Sequence, residues 1–331
     1  MVTKFGFTLM TIQEFEEWVA KRRVVRTVLT VQEHHTYSPS YKLFKGNNHF
    51  ELQRGMKNHH VQNNGWMDIG QHFTTFPDGM IMTGRNLEAS PACITGQNQH
   101  AICLEHLGNF DLNQDEMTDA QKDTIVRMTA ALCKRFNIPV NVNGIVYHHW
   151  FDLKTGARNN GAKNNKSCPG TGFFGGNKVT DCTKNFLPLV QAQLKSPISS
   201  NIPPAPAVIL KYVSVTEDTL NIRNAPSSSA DKVADKEPAT IGTVLRVFKE
   251  NEGWYKISNT QEHWVNGKYT VEVKYAVVNS DTLSVRTGPD KSYSKLGSLK
   301  KGEKVFVFEE ENGWCKISLD DKWVNKKYLT L

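Results

Sequence analysis

Residues 24–36 read VVRTVLTVQEHHT. The run is rich in β-branched residues and alternates apolar with polar, so a strand is expected from about Val24 to Glu33. His34 and His35 stand at its end. The same arrangement returns at 143–151, NGIVYHHWF, where a strand leads into His148 and His149. Between these landmarks GQHFTTF (70–76) and GMIMTGR (79–85) flank Pro77-Asp78-Gly79 and read as a hairpin. HAICLEHLG (100–108) reads as a buried strand. Thr11 with Glu14 makes a capping-box pattern that opens a helix through about Lys21. Thr118 with Gln121 opens a long amphipathic helix that ends near Phe136. Elements mixed in this order predict an α/β fold, a central mixed β-sheet with flanking helices.

The pattern changes after KSPISSNIPPAPA (195–207), whose four prolines and serines read as a semi-rigid linker. Behind it the chain repeats itself. DTLNIRNAP, EGWYKIS and EHWVNGKY in one copy correspond to DTLSVRTGP, NGWCKIS and DKWVNKKYL in the next. TVLRVFKE and EKVFVFEE alternate with period two, which predicts a small five- to seven-stranded barrel per copy. These motifs resemble the bacterial SH3-type domain family, and the resemblance implies binding to peptidoglycan peptides or other wall polymers. Domains are therefore expected at 1–194, 208–273 and 274–331, with the linker at 195–207. The tryptophans of the repeat have two readings, barrel core and ligand recognition.

The bulk properties narrow the class. The chain has 331 residues, 40 Lys and Arg against 33 Asp and Glu, and a formal charge of +7. Its composition is globular. A positive balance suits nucleic acid, anionic lipid or anionic wall polymer without choosing among them. No basic stripe or nucleic-acid motif is present, so nucleic-acid binding is not expected. No run nears ~18 consecutive apolar residues, so membrane insertion is not expected either. MVTKFGFTLMTIQEFEEWVAKRR carries acidic residues where a signal peptide has its apolar run. Synthesis in the cytoplasm without a recognisable signal peptide is expected. The six cysteines form no CxxC pair and no dense framework, so most are expected as buried thiols, with one as a metal ligand. The oligomeric state is open.

Twenty residues after His148 comes Lys166-Ser167-Cys168-Pro169-Gly170. Two imidazoles and a thiolate make a tetrahedral zinc shell with one position left for water, a set suited to amide hydrolysis. The residues alone leave a second reading open, of surface histidine pairs and a buried cysteine.

H-H-T (34–36), G-W-M-D-I-G-Q-H-F (65–73) with D-G and G-R behind it, and H-H…K-S-C-P-G resemble, in that order, the N-acetylmuramoyl-L-alanine amidase family. That family includes phage amidases, wall-recycling amidases and animal peptidoglycan recognition proteins. The resemblance covers about Val24 to Phe174. It implies an amidase/recognition-protein fold and Zn2+ bound by His34, His148 and Cys168. It also implies an oxyanion-stabilising role for Lys166, peptidoglycan as the substrate, and cleavage between N-acetylmuramic acid and L-alanine. The choice of His148 over His149 follows from aligning Ile145-Val146-Tyr147. Phage members carry a tyrosine where Gln71 stands. Recycling members use a glutamate at a strand end, and Glu105 holds that position as the expected general base. Residues 155–165, rich in Gly and Asn, are longer than the usual loop and are expected to shape the substrate groove. His59 and His60 are expected in a loop, His72 is expected to be structural or to face substrate, and His35 to pack or to bond a carboxylate. A missing signal with wall-binding barrels resembles phage endolysins. An autolysin of the same chemistry and a non-catalytic wall-binding protein are the alternatives.

Overall fold

The computed structural model describes residues 1–195, 209–234, 236–258 and 261–331. The expected linker lies outside them except for Lys195. The chain divides into two compact units, Met1–Arg22 with Val28–Ser200 and Arg23–Thr27 with Asn201–Leu331.

The first unit opens with strands β1 (Val2–Lys4) and β2 (Phe7–Met10), a hairpin absent from the sequence reading. Helix α1 (Ile12–Lys21) follows, with the capping box formed: the Thr11 hydroxyl accepts from Glu14 N, and the Glu14 carboxylate accepts from Thr11 N. Then come β3 (Thr30–His35), helix α2 (His49–Gln62), β4 (Phe73–Thr75), β5 (Ile81–Thr83) and β6 (Ala101–His106). Helix α3 (Asp119–Phe136) starts at Thr118, whose hydroxyl accepts from Gln121 N, and stops at Asn137 in the left-handed region. Strand β7 (Ile145–Tyr147) leads into a 3-10 turn at His148–Trp150.

The sheet order is β1-β2-β5-β4-β6-β3-β7. β3 lies parallel between β6 and β7, while β4 and β5 form the expected antiparallel hairpin. Two apolar layers cover the sheet. Phe7, Met56, Ile69, Phe76, Met82 and Leu107 form a cluster on the α2 side. Helix α3 packs against α1 and against the terminal helix at Leu187–Lys195. In parallel sheets ligands usually bind beyond the carboxyl ends of the strands. Here those ends carry His34 and His35 on β3, Glu105 and His106 on β6, and His148 after β7.

The second unit consists of short antiparallel strands. Thr270–Val278 is one continuous strand whose first half pairs with Lys211–Val215 and whose second half pairs with Lys304–Val307. One ladder therefore serves both copies of the repeat. Val213, Val215, Leu245 and Val265 belong to one core, and Ala276, Val285, Val307 and Val324 to the other. Trp264, Trp314 and Trp323 are only 3%, 7% and 5% exposed, so these three serve as core.

This unit also takes in Arg23–Thr27, which corrects the strand expected over 24–33. Val25 sits in the core with Val213 and Leu245. Arg26 forms an antiparallel bridge with Leu245, and Thr27 N donates to Val244 O at 2.9 Å. Only from Thr30 does the chain join the seven-stranded sheet. A β-branched run suits any strand edge, and its alternation does not say which edge pairs with it.

Candidate metal centre and groove

Alternation along the strands sorts the polar residues at the site. Successive side chains point to opposite faces of a sheet. Pairing sets Gln32 beside Cys103, Glu33 beside Leu104 and His34 beside Glu105. His34, Cys103 and Glu105 thus share the face that opens to a groove. Glu33 and His106 share the face toward α3. There Glu33 Oε2 lies 2.7 Å from His106 Nε2 and Glu33 Oε1 accepts from Thr129 at 2.9 Å. Thr75 Oγ1 lies 2.9 Å from His106 Nδ1. All four residues are fully buried, or nearly so. This polar network underlies the end of β3 and leaves no motif in the sequence. The signal available was the parity of Glu33 against His34.

On the groove face His34 Nδ1 lies 3.2 Å from His148 Nδ1 and 3.5 Å from Cys168 Sγ. The three donor atoms fall within 4.8 Å of one another, and all three residues are buried. Burial, then the nearby His148 and Lys166, holds His34 well below its ordinary range. Burial, then Lys166 and His35, pushes His148 down to about 3. Both rings are therefore neutral at pH 7, with lone pairs free to bind a cation. Burial pushes the Cys168 thiol well up, and the neighbouring Glu105 adds to the rise.

This donor set fits zinc. Two nitrogens at 2.0–2.1 Å from one tetrahedral zinc stand about 3.3 Å apart, and such a nitrogen stands about 3.6 Å from a thiolate sulfur at 2.3 Å. The observed 3.2 and 3.5 Å match those edges.

The chain fixes Cys168 from both sides. His35 N donates to its sulfur at 3.4 Å, and His149 N donates to its carbonyl at 2.7 Å. Ser167 Oγ donates to Asp111 Oδ2 at 2.9 Å, and Asn177 Nδ2 donates to Ser167 O at 2.7 Å. His149 lies off the triad, its Nδ1 bonded to Lys166 O at 2.6 Å.

The triad, Glu105 and Lys166 line one open groove of about 830 Å³. Burial pushes the Glu105 carboxyl up to about 8, and the nearby Lys166 opposes this. Lys166 is exposed. Gln71 is buried and lines the groove floor, donating to Thr74 Oγ1 at 3.1 Å.

Two expectations change. His59 and His60 lie in the last turn of α2 and line the groove, not a loop. Residues 155–165 do not line it: Asn165 Nδ2 bonds His149 O and Phe151 O, and Arg158 stacks on Trp150, tying the segment down. Four of the six cysteines are buried thiols, as expected, while Cys93 and Cys103 are joined in a disulfide. The ten-residue separation hides a pair that β6 and the preceding loop bring together. His35 packs, as expected, with its ring against Tyr37 and Phe110, and its Nδ1 accepts from Phe110 N at 3.1 Å. His72 is structural: its Nδ1 accepts from Cys103 N and its Nε2 bonds Ala89 O.

Among the described residues no helix is long and apolar enough to cross a membrane. Residues 25–171 match the family model described as N-acetylmuramoyl-L-alanine amidase, and residues 281–330 match the bacterial SH3 domain. YrvJ of Bacillus subtilis (strain 168), an inferred N-acetylmuramoyl-L-alanine amidase, is 27% identical over 131 residues, 35% of this chain and 25% of its own. Peptidoglycan-recognition protein LB of Drosophila melanogaster is 31% identical over 94 residues, 28% of this chain and 40% of its own. The chain thus spans about a quarter to two fifths of the length of these relatives. The solved structure of Drosophila PGRP-LB aligns with a TM-score of 0.36 and 18% identity, covering 56% of this chain and 95% of that one. The chain carries a domain of the N-acetylmuramoyl-L-alanine amidase family at its front and a bacterial SH3 domain at its end.

Proposed function

We propose that this protein is a zinc-dependent amidase that cuts the amide between N-acetylmuramic acid and L-alanine in peptidoglycan. The convergence of His34, His148 and Cys168 beside Glu105 in one groove carries the reading. Bound by these three residues, zinc supplies Lewis acidity that polarises a carbonyl and acidifies water. Glu105 is the general base: it takes a proton from the attacking water and returns it to the leaving nitrogen. In the metal-free groove burial raises its proton affinity, and a zinc cation bound beside it would lower that affinity again, freeing the carboxylate to accept. Lys166 presents its ammonium to the negative charge that develops on the carbonyl oxygen. Gln71 offers an amide hydrogen-bonding group in place of a phenol and takes no proton. The barrels hold the enzyme on an insoluble substrate, raising its local concentration there. Two biological settings fit this chemistry, a phage or prophage endolysin and a bacterial autolysin, each acting on the wall.

Digestion of purified peptidoglycan followed by mass spectrometry tests the reading. Stem peptides with free N-terminal L-alanine and intact glycan chains are expected. They should be abolished by chelator and by Cys168→Ser, and restored to the wild type by zinc. Sedimentation with the wall and no release would make this a binding protein.

A further inference from the structure

The Cys93–Cys103 disulfide lies against the metal centre. Its two sulfurs and a ring nitrogen of His34 all lie within 4.8 Å of one another, so His34 belongs to two clusters of donor atoms. The strand register accounts for this, since Cys103 sits two residues before Glu105 on the groove face of β6. Cys93 is partly exposed in the groove wall, whereas Cys103 is fully buried.

Neither cysteine depends on the covalent bond for its position. Cys103 N donates to His72 Nδ1 at 3.0 Å within the sheet. Cys93 N and Ile94 N both donate to Asn98 Oδ1, at 3.1 and 3.0 Å, which holds the loop. Broken, the pair would leave two thiols near their present places. Sulfurs bonded to each other are poor zinc ligands, and free thiolates are strong ones. Two thiolates with one imidazole make a softer set than His34, His148 and Cys168, and one better matched to zinc.

We propose that Cys93 and Cys103, once reduced, form with His34 a second metal-binding set that competes with the first, so that the state of this disulfide decides where the metal sits. The inference rests on the reading of His34, His148 and Cys168 as the catalytic ligands. The reductant is a dithiol. Its two sulfurs join in a new disulfide, the Cys93–Cys103 bond breaks, and two electrons and two protons pass to the cysteine sulfurs. A divalent metal then displaces those two protons. The partial exposure of Cys93 gives the dithiol its point of attack. Oxidised, the protein holds metal for catalysis. Reduced, it holds metal off His148 and Cys168.

Cobalt(II) tests this, because its thiolate charge-transfer band counts sulfur ligands. Full-length protein is reduced with dithiothreitol, freed of it by gel filtration under argon, and titrated with cobalt. Oxidised wild type should show the band of one thiolate, and reduced wild type about twice that intensity at one cobalt per chain. Cys168→Ser should show no band when oxidised and a two-thiolate band when reduced. Cys93→Ser should keep a one-thiolate band with or without dithiothreitol, which excludes Cys133, Cys182 and Cys315 as sources. No gain on reduction in both wild type and Cys168→Ser would overturn the proposal. Two cobalt ions per reduced chain would overturn the competition. A band in reduced Cys168→Ser with none in oxidised wild type would sink the catalytic ligand set while supporting the second one.

Discussion

Replacing Glu105 with glutamine should stabilise the metal-free protein in a pH-dependent way. The carboxyl rises from an ordinary 4.5 to about 8, chiefly through burial. At ~1.4 kcal/mol for each tenfold change in proton affinity, ionising it in the folded state costs about 5 kcal/mol at most. Water in the open groove reduces this to roughly 2–5 kcal/mol. The sign follows from proton counting. Between pH 4.5 and 8 the folded state keeps a proton that the unfolded state has lost, so stability falls as pH rises through that window. Glutamine is isosteric and does not titrate. The two proteins should match near pH 4.5, and the variant should be more stable by roughly 2–5 kcal/mol at pH 8.5. The assay is urea unfolding in chelator, followed by hydrogen–deuterium exchange of peptides from β3 and β6 so that the first unit alone is read. Comparing the two proteins at each pH cancels the exchange chemistry and the titration of His34 and His148, to which Glu105 contributes nothing, and the Cys168 thiol stays protonated across this window. Parallel pH profiles would refute a buried, proton-holding Glu105. With zinc bound, the same variant should keep its metal and lose about 10²–10⁴ in kcat.

Three further outcomes follow from the site. Zinc added to the apo protein at pH 7 should release about one proton more per metal in the wild type than in Cys168→Ser, because the Cys168 thiol stays protonated until metal binds; weakly buffered calorimetry reads this. Lys166→Ala should lower kcat about 10²-fold with little change in KM, since an exposed cation aimed at developing charge acts in the transition state; steady-state kinetics on a soluble muropeptide separates the two. Glu33→Ala should cost about 3 kcal/mol, because it strips acceptors from buried His106 and Thr129; urea unfolding of the metal-loaded protein measures it.

Local chemistry made much of this protein legible from its sequence. Thr11 with Glu14 and Thr118 with Gln121 fix helix starts through hydrogen bonds only three residues long, and both form. Pro77-Asp78-Gly79 sets a turn, and the hairpin around it is present. The repeat at 218–331 declared two small β units by its own periodicity. The order of motifs points to His34, His148 and Cys168 as candidate ligands, and the fold brings their donor atoms together.

What remained hidden depends on distance along the chain. Helix α2 has a weakly patterned face because polar His49 and Gln53 are buried on it, so it read as a loop. Val24–Thr27 carries strand residues, but its partner is Leu245, more than two hundred residues away. The Glu33–His106–Thr129 network and the proton affinity of Glu105 arise where β3 and β6 set distant residues side by side, and the Cys93–Cys103 bond arises where the preceding loop folds back onto β6. The sequence by itself determined which elements form and which donors are available, because capping, turns and alternation act over a few residues. Only the tertiary structure decided which donors meet and which proton affinities shift, because burial and proximity are properties of the packed chain.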